Sequence, residues 1–380
     1  MDKQFSTIWQ QALTGSLLSG KAFGWNKTVA FQITAPTAGT ALRLRFTNRR
    51  GTAPYEIGAM TVLVNGRLYA ITHNGQKSFR IPVGESLLTD PCAVELPSSA
   101  EIELRLYYTG AILDTNMIEE GATLMRGNHT EDKAPLSMKK PALAKLLGAY
   151  NGIPALEAVE METAVPLKAI VAFGDSITAL SRWTKPLAVR LQQRWPGEYA
   201  LLNAGISGNC LLYEPKGVFG PVFGERGAKR FETDVLLTEN LSVVIFGLGV
   251  NDVSYLTKQS SGQINLENYR NAVTEIVNTL HRRGVWVAMQ TISPRLGVAR
   301  TMGRYNREME TLRLELNAWI RSAGIFDYLF DAEAVVREEH SDGFYYREGL
   351  HQGDHLHPNA EGGRLLAEAF DLNALTGRED

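Results

Sequence analysis

The stretch AIVAFGDSI, residues 169–177, carries the clearest structural signal in the chain. Five apolar residues from Ala169 to Phe173 predict a short buried strand, which ends at the turn Gly174-Asp175-Ser176. Similar apolar runs follow at 199–203, 243–247, 285–291 and 328–330. Helical patterns separate or follow these runs, at 183–195, 227–237, 266–283, 305–323 and 360–370. Strands that alternate with helices favour a parallel sheet covered by helices on both faces.

The N-terminal half has a different period. Leu42, Leu44 and Phe46 alternate with polar residues, and residues 101–106 repeat the pattern. This period of two is typical of strands with one buried face, and Asn-Gly pairs at 65–66 and 74–75 predict turns between them. An antiparallel β-sandwich is therefore predicted for residues 1–165, ahead of an α/β domain at 166–380.

The segment 119–152 shows neither period clearly and contains Pro135 and Pro141. We interpret it as an irregular connection with a short helix near 143–147. Residues 153–165 are predicted to form a last strand that returns to the sandwich.

Composition excludes several classes of protein. The chain has 380 residues, 44% of them hydrophobic and 21% charged, which is typical of a soluble globular protein with two or three domains. A net charge of −2 gives no basic surface for nucleic acid or anionic lipid. Two cysteines are too few for a disulfide framework. With no signal-peptide pattern and no long apolar run, we expect a cytoplasmic protein without a membrane anchor; a leader upstream of these residues would reverse that prediction.

Four short blocks in the C-terminal half carry chemistry. They are Gly174-Asp175-Ser176-Ile177, the stretch from Asn203 to Asn209, Gly249-Val250-Asn251-Asp252, and the stretch from Asp354 to Pro358. Together they supply a serine, hydrogen-bond donors and an Asp/His pair, which are the groups that acyl transfer through a serine ester needs. The first three blocks follow predicted strands, where parallel sheets form their ligand sites.

Each block also allows a purely structural interpretation. Ser176 could cap a helix, and Asn251 could form an Asx-turn. Gly205 competes with Gly208 as the glycine whose amide approaches a ligand. Asp175 and Asp252 are interpreted as structural rather than catalytic.

The histidines near residue 354 leave two alternatives. His355 competes with His357 as the base, although it lies only one residue from Asp354. His351, His355 and His357 could also form a metal site, but we found no Cys or Glu at ligand spacing and expect no metal.

The blocks, in their order, resemble those of the GDSL/SGNH hydrolase superfamily, in particular a subgroup with an N-terminal, jelly-roll-like β-sandwich. The resemblance implies a flavodoxin-like, three-layer α/β/α domain and a serine ester hydrolase without cofactor or metal. It assigns Ser176, Asp354 and His357 to the catalytic triad. It assigns the backbone amides of Ser176 and Gly208 and the side chain of Asn251 to the oxyanion hole.

The substrate is predicted less directly. Relatives with a sandwich often remove acetyl groups from carbohydrates, so we expect a small-molecule or oligosaccharide acetyl ester. A lipolytic esterase, a thioesterase or a lysophospholipase-like enzyme of the same fold is the alternative. A second alternative is a binding protein whose sandwich recognises a glycan, although the four intact blocks argue against an inactive site. The sandwich could also complete the catalytic cleft or form a homo-oligomer contact. Aromatic residues near the blocks suit sugars and acyl chains equally, but most are expected to pack in the core: Trp183, Tyr213, Phe219 and Phe223.

Overall fold

The computed structural model describes residues 4–15, 26–110, 122–134, 153–216, 220–256, 265–298 and 305–379. The chain divides into two compact units. The first comprises Met1–Lys168, Arg194–Leu202 and Lys216–Gly224, and the second comprises Ala169–Gln193, Asn203–Pro215 and Glu225–Asp380.

Antiparallel strands build the N-terminal region. They are β1 (Gln4–Gln10), β2 (Lys27–Thr34), β3 (Gly39–Thr47), β4 (Tyr55–Val64), β5 (Arg67–Ile71), β6 (Phe79–Ile81), β7 (Ser86–Leu88), β8 (Cys92–Leu96), β9 (Glu101–Tyr108), β10 (Thr123–Arg126) and β11 (Leu156–Thr163). One sheet has the order β1-β11-β3-β7, with β8 also on β3. The other has the order β10-β2-β9-β4-β5, with β6 also on β4. The predicted period of two is visible in β3, where Leu42, Leu44 and Phe46 are fully buried and Arg43 and Arg45 are not.

Part of the segment predicted to be irregular is regular. Thr123–Arg126 forms β10 and pairs antiparallel with Lys27–Ala30 at the edge of the second sheet. Four residues are too few to show a period, and the strand is stabilised by backbone pairing with β2. Residues 111–121 and 135–152, with the helix predicted near 143–147, lie outside the described residues. The predicted returning strand forms as β11, between β1 and β3.

A five-stranded parallel sheet confirms the predicted α/β domain. Its strands are β12 (Lys168–Gly174), β13 (Tyr199–Gly205), β14 (Leu241–Gly247), β15 (Trp286–Gln290) and β16 (Tyr328–Phe330). They lie in the order β13-β12-β14-β15-β16, which is the flavodoxin-like order 2-1-3-4-5. Residues 170–173 of β12 and 243–246 of β14 are buried, as expected for a sheet covered on both faces.

Helices occupy the connections that the sequence predicts. They are α1 (Ser176–Ala179), α2 (Thr184–Arg194), α3 (Gly227–Phe231), α4 (Asp252–Leu256), α5 (Leu266–His281), α6 (Arg307–Ser322), α7 (Ala332–Val336), α8 (Ala360–Ala369) and α9 (Leu372–Thr376). A π-helical turn, Glu232–Leu236, continues α3, and a hairpin of β17 (Arg337–His340) and β18 (Gly343–Tyr346) precedes α8. Within the described parts of the chain, no helix is long and apolar enough to span a bilayer.

The strand order predicts where a ligand binds. From β12 the next strand in the chain, β13, lies on one side, and the later strands β14 to β16 lie on the other side. Ligand sites in such sheets form at the carboxyl ends of the strands where the order switches, here between β12 and β14. Ser176 follows β12 by two residues, Gly208 follows β13 by three, and Asn251 follows β14 by four. The three blocks therefore meet at one edge of the sheet.

Candidate active site

Ser176 is the first residue of α1 and lies in a tight turn after β12. The N-cap of this helix is Asp175, whose Oδ1 accepts a hydrogen bond from the Ile177 amide at 3.0 Å. Ser176 therefore does not cap the helix, which removes the structural alternative for it. The residue is 8% exposed, so it is largely but not completely shielded from solvent.

The structure brings Ser176, His357 and Asp354 into one chain of hydrogen bonds. His357 Nε2 lies 2.7 Å from Ser176 Oγ, and His357 Nδ1 lies 2.6 Å from Asp354 Oδ2. Because a carboxylate can only accept, Nδ1 carries the proton of the neutral ring, and Nε2 presents its lone pair to the serine hydroxyl. This is the arrangement in which an imidazole can remove the proton of a serine.

Asp354 is fixed by its own turn. Its Oδ1 accepts from the amides of Leu356 at 3.0 Å and His357 at 2.9 Å. Partial burial raises the pKa of Asp354, but the hydrogen bonds from His357 and Leu356 outweigh burial and hold the pKa well below its ordinary value. The group is therefore an anion that can stabilise a charged imidazole.

The two candidate glycines have different surroundings. A Cβ on Gly205 would lie 2.3 Å from the amide nitrogen of Ala179, so this glycine is required for β13 to pack against α1. Gly208 lies in the following turn with φ +75°. Among the described residues, neither the Gly208 amide nor the Ser176 amide donates to a protein group. These two amides are thus available to a ligand.

Asn251 is linked to the Gly208 turn. Its Nδ2 donates one hydrogen to the carbonyl of Asn209 at 3.0 Å, which leaves the second hydrogen of the amide for a ligand.

Next to Asn251, buried Asp252 accepts hydrogen bonds from the amides of Leu211 and Leu212 at 2.8 and 2.9 Å. Burial raises the pKa of Asp252 to about 6. Asp252 therefore holds two loops together, in agreement with its structural interpretation.

A buried arginine that the sequence analysis did not select ties the same loops to the sheet. Arg230 donates from Nη2 to the carbonyl of Gly174 and from Nη1 to the carbonyl of Ala204, each at 2.8 Å. Its Nε donates to Asn209 Oδ1 at 2.9 Å, and Asp234 Oδ2 lies 3.0 Å from Nη1. The ends of β12 and β13 are therefore held together beneath the site.

The histidines that compete with His357 lie in a separate cluster. His355 Nδ1 is 3.6 Å from Glu348 Oε1, and His351 Nε2 is 3.4 Å from Glu348 Oε2. Glu348, which lies three residues before His351, was not among the ligands predicted from the sequence. His351 Nδ1 accepts two backbone N–H groups, so the neutral ring carries its proton on Nε2, the nitrogen that faces the cluster. A protonated Nε2 cannot ligate a cation, and the geometry of His351 opposes a metal site.

Two tyrosines lie close in sequence to the candidate oxyanion donors. The rings of Tyr213 and Tyr255 stack with centroids 3.9 Å apart and planes inclined by 30°, and both residues are partly exposed. Tyr255 follows Asn251 by four residues on α4. Trp183 instead packs in the core, stacked on Phe370. Phe219 lies outside the described residues.

Comparison with known proteins is consistent with this geometry. The model of the GDSL-like lipase/acylhydrolase family matches residues 172–365, slightly more than half of the chain. No curated protein matches the sequence.

Two solved structures illustrate the likeness. A GDSL-like lipase from Bacteroides thetaiotaomicron is 16% identical over 55% of this chain and 87% of its own, with a TM-score of 0.39. A variant of an acetyl xylan esterase from Geobacillus stearothermophilus is 18% identical over 56% of this chain and 96% of its own, also with a TM-score of 0.39. The match to the family model alone carries the assignment: the chain belongs to the GDSL-like lipase/acylhydrolase family, whose members are ester hydrolases.

Proposed function

We propose that the protein is a serine esterase in which Ser176 is the nucleophile, His357 the general base and acid, and Asp354 the group that orients the histidine. One observation carries the proposal: the unbroken chain of hydrogen bonds from Ser176 Oγ through the His357 ring to Asp354, with distances of 2.7 and 2.6 Å. A serine hydroxyl becomes a strong nucleophile only when such a base takes its proton.

In the first half of the reaction, Ser176 Oγ attacks the ester carbonyl carbon while its proton moves to His357 Nε2. The carbonyl oxygen becomes an oxyanion, which accepts hydrogen bonds from the amides of Ser176 and Gly208 and from Asn251 Nδ2. Each such donor is typically worth a hundredfold or more in rate. When the tetrahedral intermediate collapses, the bond to the alcohol oxygen breaks and His357 gives that oxygen its proton.

In the second half, water attacks the acyl-Ser176 ester and His357 Nε2 takes a proton from that water. The same donors stabilise the second oxyanion. Its collapse releases the carboxylic acid and returns the proton to Ser176 Oγ. Asp354, kept ionised by its hydrogen bonds, stabilises the imidazolium in both halves.

We further propose that the substrate is a small acyl ester, an acetyl ester on a carbohydrate. The stacked rings of Tyr213 and Tyr255, which follow Gly208 and Asn251 closely in the chain, support it. Aromatic faces provide flat apolar surface of the kind that the apolar face of a sugar ring can cover. The reacting groups all lie within the domain predicted at 166–380.

The first test is hydrolysis of nitrophenyl acetate, butyrate and octanoate by the wild type and by Ser176→Ala. We expect kcat/KM to fall beyond acetate and the variant to be inactive. In a long apolar acyl pocket each added CH₂ contributes about 0.8 kcal/mol, roughly fourfold. A rise of that size with chain length would favour the lipolytic or thioester alternative instead. Turnover by Ser176→Ala would refute the mechanism.

A second test separates the sugar from the ester. Tyr213→Ala should leave hydrolysis of nitrophenyl acetate nearly unchanged and raise KM for an acetylated xylo-oligosaccharide, measured by release of acetate. The matched control is Tyr345→Ala, a tyrosine on β18. Equal KM values for Tyr213→Ala and the wild type would contradict the carbohydrate assignment while leaving the esterase intact.

A further inference from the structure

The turn that carries Asp354 is held by a buried histidine that takes no part in the reaction proposed above. His351 Nδ1 accepts hydrogen bonds from the amide of Gly353 at 3.0 Å and from the amide of His355 at 3.1 Å. These are the two amides on either side of Asp354. The His351 side chain is only 4% exposed, so the acceptor of these bonds is shielded from water.

The turn has a conformation that needs such support. His355 has φ +58°, in the left-handed region that a residue with a Cβ adopts at a cost of about 1 kcal/mol or more. In this conformation the amides of Leu356 and His357 both donate to Asp354 Oδ1. Without an acceptor, the amides of Gly353 and His355 would be left unpaired within the turn, which would favour a different turn conformation.

We infer that His351 is a positioning residue for the triad: by accepting the two amides that flank Asp354, it fixes the carboxylate in the orientation that aligns His357 with Ser176. The inference rests on the proposed function, because it acts through the assigned roles of Asp354 and His357. Within the turn His351 acts through Nδ1, while its buried Nε2 makes no hydrogen bond among the described residues and lies 3.4 Å from Glu348 Oε2.

Two nearly isosteric substitutions separate the two nitrogens. In His351→Asn, the side-chain oxygen lies as many bonds from Cα as Nδ1 does, so it can accept both amides. In His351→Gln, the polar atoms lie at the distance of Nε2 and cannot reach them. Both variants remove the ring and its contact with Tyr346, so loss of packing affects both.

The experiment measures kcat and KM for nitrophenyl acetate together with the midpoint of thermal unfolding. We expect His351→Asn to keep kcat within about fivefold of the wild type. We expect His351→Gln to lose about a hundredfold in kcat with little change in KM, since a displacement of about 1 Å in a catalytic group costs that much. The two variants should unfold at similar temperatures.

A proton resonance provides a second readout. The hydrogen shared by His357 Nδ1 and Asp354 should give a downfield signal in the wild type and in His351→Asn, and should lose it in His351→Gln. Equal kcat values for the two variants, whether both high or both low, would overturn the inference. Activity that survives in Ser176→Ala would instead refute the proposed function, so the two failures are distinguishable.

Discussion

Asp175, next to the nucleophile, makes the folded state sensitive to pH in a direction opposite to that of most carboxylates. The residue is 1% exposed, and burial raises its pKa from 3.8 to about 7, against the opposing effect of the hydrogen bond from Ile177. The folded protein therefore binds this proton more tightly than the unfolded chain does. The contribution to stability is fully present below the unfolded pKa and is lost as the pH rises from about 4 through about 7.

The substitution Asp175→Asn should remove this dependence. Asparagine keeps the oxygen that caps α1, so the bond to the Ile177 amide at 3.0 Å is preserved. The other oxygen, Oδ2, has no hydrogen-bond partner among the described residues, and Asp175 and Gln290 line the same small cavity. A shift of about three pKa units corresponds to on the order of 4 kcal/mol. We therefore expect the variant to be more stable than the wild type by a few kcal/mol at pH 8 and to keep less than half of that advantage at pH 5.

Chemical denaturation at pH 5 and pH 8 measures this difference. The matched control is Asp371→Asn, which makes the same change at the exposed N-cap of α9. The neutral side chain should also leave kcat at pH 8 no lower than that of the wild type, because an anion beside the oxyanion opposes its charge. If Asp175→Asn destabilises the protein at pH 8, or shifts its stability equally at both pH values, the reasoning is refuted.

Three further substitutions test the remaining parts of the site. Asn251→Ala should lower kcat by about 10²–10³-fold with KM little changed, because it removes a donor that acts mainly in the transition state. Steady-state kinetics measure this, and a loss below tenfold would exclude Asn251 from the oxyanion hole. Asp354→Asn should reduce kcat less than His357→Ala does, since an asparagine in the same turn still leaves the base beside Ser176; an equal loss would mean that the carboxylate is indispensable. Arg230→Met should lower the free energy of unfolding by about 3–5 kcal/mol, measured by denaturation, because it leaves Asp234 without its cation in a buried site; an unchanged free energy would contradict the role of Arg230 as a clamp.

The periodicity of the sequence predicted most of the fold because most of the buried elements are long enough to show their period. The run at 243–247 forms β14 as Leu241–Gly247, and the pattern at 266–283 forms α5, which ends at His281. The helix stops slightly early because Gly284 adopts φ +69°, which a helix cannot contain. In contrast, β10 has four residues, and its pairing with β2 depends on residues about 96 positions away. The four residues of β10 contain no sequence pattern that predicts a strand.

The residues of the candidate site could be predicted where their side chains are of the types that acyl transfer uses. Ser176, Asn251, Asp354 and His357 have side chains whose types and order suggest acyl transfer, and the structure gathers them at the predicted edge of the sheet. Glu348 was missed because its contact with His351 and His355 arises from the fold of one turn rather than from a familiar spacing.

The loops that carry the groups of the proposed mechanism are each held by a buried polar side chain that has no part in that mechanism. Arg230 joins the end of β12 to Asn209, Asp252 joins its own block to the amides of Leu211 and Leu212, and His351 holds the turn of Asp354. Buried bonds of this kind fix the loops before substrate arrives, so that donors need not reorganise as charge develops. Their residue types occur throughout any chain, so only the assembled contacts distinguish them. Substitutions at these positions should therefore lower kcat although every group of the proposed mechanism is still present. Such a loss would measure how much of the rate depends on the correct placement of those groups.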